Sequence, residues 1–327
     1  MNEEVSSQPT HLVWDADGSP DSVIALLNFL KHPDISVDVI TVSCGQAYPD
    51  ICASNLVQML ARLGIKGIPV SAGRAVPLEG NNAFPDPWRN DTNGFWGIEL
   101  PDETEPVQPL PAAELIIRVL NKSPSPITLF VSGTHTNLAE ALRLDPNIKN
   151  NIASVHVMGG ALNVPGNIAS EWPESDNKVA EWNIWVDPIA ACEVFNAGLS
   201  MHLTPLDATN QVVWTMDDAN KWSTSSTAEG LLAAEILSWM IVHLRDLYPG
   251  GVYLWDLMTA FNATDPDLCQ FEQLHIQVII EPGEEQGRTV VLSGQLPNTT
   301  VCLIPQAEEI KQRVVRHLLR ETIPNRD

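Results

Sequence analysis

The chain has 327 residues, of which 44% are hydrophobic, and it carries a formal charge of −23 at pH 7. That is enough apolar material for one large α/β domain or two small ones, and no apolar run reaches membrane-spanning length. The acidic balance leaves no basic patch for a phosphate backbone, which excludes nucleic acid and favours small neutral ligands and cations.

Residues 1–10 are polar and acidic, lack the apolar core of a signal peptide, and are expected to form a flexible tail. Residues 11–327 show no linker clear enough to cut a second domain. Cys44, Cys52, Cys192, Cys269 and Cys302 are scattered without a CxxC pair, which fits a reducing, cytoplasmic compartment. His11–Trp14 is expected as a buried strand and Val23–Leu30 as an apolar-faced helix. Between them lie Asp15, Asp17 and Asp21 and a tight Gly18-Ser19-Pro20 turn. Helix capping by Asp21 would explain only one of these acids.

Val37–Val42 reads as a second strand, the stretch from about Asp50 to Leu63 as a helix stopped by Gly64, and Ile68–Ser71 as a third strand. This βαβαβ pattern predicts a Rossmann-like α/β fold with a mixed, mostly parallel sheet flanked by helices. Its functional site should lie at the carboxyl ends of the strands. Residues 73–111 are rich in Gly, Asn, Pro and Asp yet carry Phe84, Trp88, Phe95 and Trp96, which marks them as an active-site loop region rather than disorder. Further on, Ala112–Leu120 is expected as a helix, Ile127–Val131 as a strand, Leu138–Leu144 as a helix and Val155–Met158 as a strand. A polar loop runs to Ala180, a helix covers Ile189–Ala197, and His202–Leu206 reads as a strand. Asp217–Leu247 is mainly helical, Leu257–Ala263 is a short helix, His275–Val301 suggests paired strands, and a helix at Ala307–Arg320 closes the chain.

Polar residues collect at the carboxyl ends of these strands. They are Asp15, Asp17 and Asp21, then Gln46, Thr136-Asn137, Met158, Asn167, Glu181, Asn183 and Asp256. Crowded carboxylates repel one another unless a cation or a substrate hydroxyl takes up the charge. Hard oxygen donors suit Ca²⁺ or Mg²⁺ rather than zinc, and converging amides, carboxylates and carbonyls also suit a sugar with several hydroxyls. A Mg²⁺-dependent phosphatase would want Lys or Arg near these motifs, and almost none is there.

The same residues carry a resemblance. Asp15-x-Asp17-Gly18-x-x-Asp21, Gly133-x-x-Thr136-Asn137-Leu138-Ala139, Met158-Gly159-Gly160, Gly166-Asn167, Glu181-Trp182-Asn183-Ile184-x-x-Asp187-Pro188 and Trp255-Asp256 follow one another in order. The chain resembles the inosine–uridine nucleoside hydrolase family over nearly its whole length. It is most similar to the purine-specific members, through Glu-Trp-Asn, Trp-Asp and the Phe84-Pro-x-x-Trp88-Arg89 segment. The resemblance implies N-glycosidic hydrolysis of purine ribonucleosides, with a small-molecule nucleoside as partner and a homodimer or homotetramer as assembly. It implies Ca²⁺ held by Asp17, Asp256 and the carbonyl of Thr136, and Asp17 as general base on a metal-polarised water. Asp21 would bind a ribose hydroxyl, Asn167, Glu181 and Asn183 the 5′-hydroxyl side, and Met158 the sugar. Trp182 belongs to the substrate-binding set, and Trp88 and Trp255 would stack on the base.

Two positions depart from the family pattern. The first motif normally ends Asp-Asp, with the second Asp on calcium; here it is Ser22, a weaker ligand. The second strand normally ends in Asn or Asp against ribose; here Gln46 carries an amide on a longer stem. These departures support an alternative, a catalytically impaired or substrate-altered nucleoside-binding relative. Trp14 is expected in the core, His135 as a hydrogen-bonded structural residue, and Asp187-Pro188 as a helix start.

Overall fold

The computed structural model describes residues 9–102 and 104–320, so the expected tail lies almost wholly outside the described residues. Strand β1 (Thr10–Ala16) leads into helix α1 (Pro20–Lys31), β2 (Ile35–Val42), α2 (Pro49–Arg62) and β3 (Val70–Ala72). The long loop then holds α3 (Asp86–Asn93) and a 3-10 turn at Phe95–Gly97. It is followed by α4 (Ala112–Lys122), β4 (Ile127–Val131) and α5 (Thr136–Leu144). Next come β5 (Ile152–Met158), α6 (Ile168–Glu171), α7 (Trp182–Val186), α8 (Pro188–Phe195), β6 (Met201–Thr204) and α9 (Leu206–Thr209). The chain continues through β7 (Val213–Trp214), α10 (Met216–Trp222), α11 (Ala228–His243), β8 (Val252–Tyr253) and α12 (Trp255–Thr264). It ends with β9 (Cys269–Leu274), β10 (Ile276–Val278), β11 (Thr289–Val291), β12 (Thr299–Pro305) and α13 (Ala307–His317).

The main sheet has eight strands in the order β3-β2-β1-β4-β5-β6-β12-β9. Every neighbouring pair is parallel except β12 and β9, so the mostly parallel architecture is as expected. Strand β1 is buried on both faces. Leu12, Trp14 and Ala16 pack into a core with α1, α2, α11 and α12, while Val13 faces a second core with α4, α5 and α8. Between β1 and β4 the strand order turns back on itself, and the crevice at such a switch point is where open α/β sheets bind ligands.

Two expectations need correction, and one helix was not anticipated. Within the loop region over 73–111, Asp86 and Pro87 start α3, whose polar sequence gives no apolar stripe to reveal it. The strand at His202 ends at Thr204, because Pro205 cannot extend the ladder and instead caps α9. The late strands do not form one unit. β10 and β11 pair as a hairpin, whereas β12 joins the main sheet alongside β6.

Candidate active site

At the carboxyl end of β1 the chain turns through Gly18 at φ +83°, and Asp17 is held from both sides of the turn. Its Oδ1 accepts from the Ser19 amide (2.9 Å) and its Oδ2 from the Gln46 amide (3.4 Å). Two glycines make room for it. A Cβ on Gly45 would lie 2.2 Å from the Asp17 Cβ, and one on Gly133 would lie 2.7 Å from the same atom. Strand ends β2 and β4 therefore close on Asp17 with no side chain between.

Ser19 caps α1 by accepting from the Ser22 amide (3.3 Å), so the helix cap is Ser19 and not Asp21. The Ser19 hydroxyl also donates to Asp256 Oδ2 (3.4 Å), and the Asp256 amide, in the first turn of α12, donates to Asp21 Oδ2 (3.0 Å). Three carboxylates from the two ends of the chain are thereby tied together. Burial raises the Asp17 carboxyl above its usual range. It raises Asp256 well above, helped by the charges of Asp21, Asp17 and Glu181. Asp21 is pushed up to about 6, by burial first and by the Asp17 charge in addition, against the hydrogen bond from the Asp256 amide. Asp15 sits one layer deeper. It accepts from Thr41 Oγ1 and Asn137 Nδ2, both at 2.7 Å, and burial lifts it to about 7.

Asp17, Asp21 and Asp256 open onto one pocket, which with its open mouth holds about 820 Å³ of space. Asp17, Asp21, Gln46, Trp88, Met158, Asn167, Glu181, Trp182, Asn183, Trp255 and Asp256 all reach its wall. Glu181 caps α7, accepting from the Asn183 (2.9 Å) and Ile184 (3.3 Å) amides, and also takes the Gly160 amide (3.0 Å). Burial raises it to about 7. Asn167 presents a buried amide oxygen with no partner among the described residues, an acceptor suited to a hydroxyl. The aromatic wall is built from Phe84 stacked on Trp182 (centroids 4.9 Å apart), with Trp88 edge-on to Trp182 (5.3 Å). Trp255, also on the wall, is fixed by its Nε1 donating to Asn210 Oδ1 (3.1 Å).

Two expected metal ligands are not brought to this wall. Thr136 is the first residue of α5. Its carbonyl is directed along the helix, and its hydroxyl donates to Asp187 Oδ2 (2.7 Å), away from the pocket. The residue of that segment on the wall is Ser132, directly after β4, whose carbonyl accepts from Asn183 Nδ2 (3.3 Å). Ser22 is fully buried, with its hydroxyl hydrogen-bonded to that of Ser132 (2.8 Å). His135 is buried but not hydrogen-bonded: neither ring nitrogen has a partner among the described residues, and burial lowers it to about 4. Asp187 does start a helix, accepting from the Ala190 amide (3.0 Å).

The donor set nevertheless fits a hard cation. Asp17, Asp21, Asp91, Glu171, Glu181 and Asp256 line the pocket and no Lys or Arg does, so repulsion is left for a bound ion to relieve. A second cluster, His32, Asp265 and His317, gathers where α1, α12 and α13 end, at the far end of α1 from the pocket. There the Arg313 guanidinium already neutralises Asp265, so the cluster needs no ion. Sequence reasoning missed Ser19, Ser132, Glu171 and Tyr248 on the wall. Ser19 and Ser132, each just after a predicted strand, carried a positional signal; Glu171 and Tyr248 carried none.

A profile of the family described as inosine-uridine preferring nucleoside hydrolase matches residues 12–317. The chain belongs to the inosine–uridine nucleoside hydrolase family. It is 31% identical over 298 residues to the pyrimidine-specific ribonucleoside hydrolase RihA of Citrobacter koseri, covering 89% of this chain and 92% of that one. Among solved structures it is similar to a plant nucleoside hydrolase, with a TM-score of 0.85 at 26% identity over 95% of this chain and 99% of the other. It is also similar to the purine-preferring ribonucleoside hydrolase of Gardnerella vaginalis, with a TM-score of 0.84 at 25% identity over 94% and 98% of the two chains. Like other nucleoside hydrolases, the protein is a hydrolase of nucleoside N-glycosidic bonds, and its substrates are small molecules. No helix among the described residues is long and apolar enough to cross a membrane.

Proposed function

We propose that this nucleoside hydrolase cleaves ribonucleosides with a purine preference, using Asp17 as general base. The observation that carries this reading is the sharing of one pocket by Asp17, Asp21 and Asp256 with the rings of Trp88 and Trp255. Asp17 and Asp256 would hold calcium, with an oxygen of the Ser132 strand end, and the ion would lower the pKa of an attacking water. The remaining steps fall to the chain itself. Asp17 takes the proton of the water that attacks the anomeric carbon, on the face opposite the leaving base. Asp21 and Gln46 bind ribose hydroxyls, and Asn167, Glu181 and Asn183 bind the 5′-hydroxyl side. Met158 and Trp182 enclose the sugar and exclude water, and Trp88 and Trp255 hold the base flat.

The test is release of free base from inosine, adenosine, guanosine, uridine and cytidine, with calcium and after EDTA. Purine nucleosides should turn over fastest, and EDTA should abolish turnover. Absence of base release from every substrate at saturating calcium would sink the reading. Faster pyrimidine release would overturn the purine preference alone and align the chain with its pyrimidine-specific relatives.

The hydroxyl pair Ser22–Ser132, standing where the resemblance places a calcium carboxylate, favours a second reading: a nucleoside-binding protein with little turnover. Thermal stabilisation by inosine without hydrolysis would support it.

A further inference from the structure

Resting on the hydrolase reading, we propose that Tyr248 and Glu171 deliver the proton that the leaving base requires, Tyr248 donating to the base and Glu171 resupplying Tyr248. Neither residue is given a role by the motifs above. Hydrolysis needs such a donor, because an unprotonated nucleobase is a poor leaving group, and the position before Asp256 is Trp255, which has no acid to give.

The couple joins the pocket's aromatic residues, Glu171 touching Trp182 and Tyr248 packing on Trp255. Glu171, at the end of α6, accepts from the Tyr248 hydroxyl through one carboxyl oxygen and from Trp182 Nε1 (2.8 Å) through the other. It is thus suspended between the two aromatic walls. Trp182 packs on Phe84 and Trp88, while the Tyr248 ring lies edge-on to Trp255, with centroids 6.0 Å apart. A base stacked between Trp88 and Trp255 would have the phenol at its rim. Both residues line the pocket.

The surroundings keep Glu171 able to hold a proton near neutrality. Burial pushes its carboxyl from 4.5 to about 7, against hydrogen bonds from Tyr248, Trp182 and Asn167. The charged and titratable groups acting on the couple are Asp21 on α1, Glu181 at the start of α7 and Tyr253 beside Tyr248, and none is a cation. With Glu171 protonated, its O–H donates to the Tyr248 oxygen and frees the phenol hydrogen for the base.

In the step itself, water oxygen bonds to the anomeric carbon and loses a proton to Asp17. The carbon–nitrogen bond breaks with its electron pair going to the base. The base takes the Tyr248 proton, and the Tyr248 oxygen takes the Glu171 proton. Solvent returns the proton from Asp17 to Glu171, so the net change is addition of one water.

The experiment compares Glu171→Gln and Tyr248→Phe with the parent protein in calcium, on the most active nucleoside and on p-nitrophenyl β-D-ribofuranoside. The p-nitrophenolate of the second substrate departs without a proton. Each variant should lose about 100-fold or more in kcat on the nucleoside, and at least about tenfold less than that on the nitrophenyl riboside. The parent's fall in nucleoside kcat above about pH 7 should disappear in Glu171→Gln. Equal losses on both substrates would show a structural role, and unchanged nucleoside turnover would show none; either overturns the proposal. If the parent cleaves neither substrate, the hydrolase reading fails first and takes this inference with it.

Discussion

Ser22 is the residue at which the proposed calcium site is most directly tested. Its hydroxyl is committed to Ser132 and it adds no charge to a pocket already holding Asp17 and Asp256. Replacing it by a carboxylate should have opposite effects in the two metal states. Ser22→Asp should lower the melting temperature of the metal-free protein, since an unpaired buried charge is costly. The same change should raise calcium affinity on the order of tenfold and increase turnover, because calcium affinity follows ligand charge. Calorimetric calcium titration and thermal melts with and without EDTA check both signs. Gly45 is a residue of the opposite kind, needed for what it lacks. Its missing Cβ leaves the 2.2 Å gap that Asp17 fills, so Gly45→Ala should cost about 1–3 kcal/mol in denaturant melts and displace Asp17. Turnover of that variant should fall further than its stability loss explains.

At the scale of elements, α3 carries Trp88 to the pocket, and under the proposed function its attachment should set how firmly a nucleobase is held. Arg89, on the buried side of α3, donates from Nε to the Gly45 carbonyl (3.2 Å) and lies over the Tyr48 ring (5.0 Å). Asn93 accepts from the Tyr48 amide (3.1 Å) and gives its carbonyl to Asn55 (3.0 Å). The segment is anchored beyond by Phe95 and Trp96, both buried and held at positive φ (46° and 55°). Such backbone costs about 1–3 kcal/mol per residue and persists only where packing imposes it. Arg89→Met should therefore loosen α3 and raise KM about tenfold with a smaller effect on kcat, matching loss of a charged buried hydrogen bond. Steady-state kinetics on inosine would show the split. Equal loss in kcat would mean that α3 positions the catalytic base rather than the substrate base. The helix was hidden in the sequence because its contacts are polar: Arg89 and Thr92 are its buried residues, and no apolar period marks them.

Across the whole molecule, a chain of formal charge −23 concentrates its most costly charges in one crevice, and its stability should follow their titration. Glu171 and Glu181 each have folded values raised from 4.5 to about 7, with burial the leading cause. A raised carboxyl contributes stability that is complete below its unfolded value and is lost as pH rises through the folded value. Metal-free protein should therefore melt higher at pH 5.5 than at pH 8, by about 2 °C or more. Calcium at about 100 times its Kd should add about 2.7 kcal/mol. Scanning calorimetry across that range, with and without calcium, measures both effects. Much of this was legible from residue order alone. The hydrophobic runs and their punctuation predicted a mostly parallel sheet, and the ordered motifs placed Asp17, Asp21, Asn167, Glu181, Asn183 and Asp256 on a shared site, because strand ends and helix starts are local features. Ser19 bridging Asp17 to Asp256, Ser132 rather than Thr136 on the wall, and Glu171 meeting Tyr248 were decided only in the folded chain. They depend on which side chains distant segments turn toward one another, and that is set by packing, which leaves no period in the sequence.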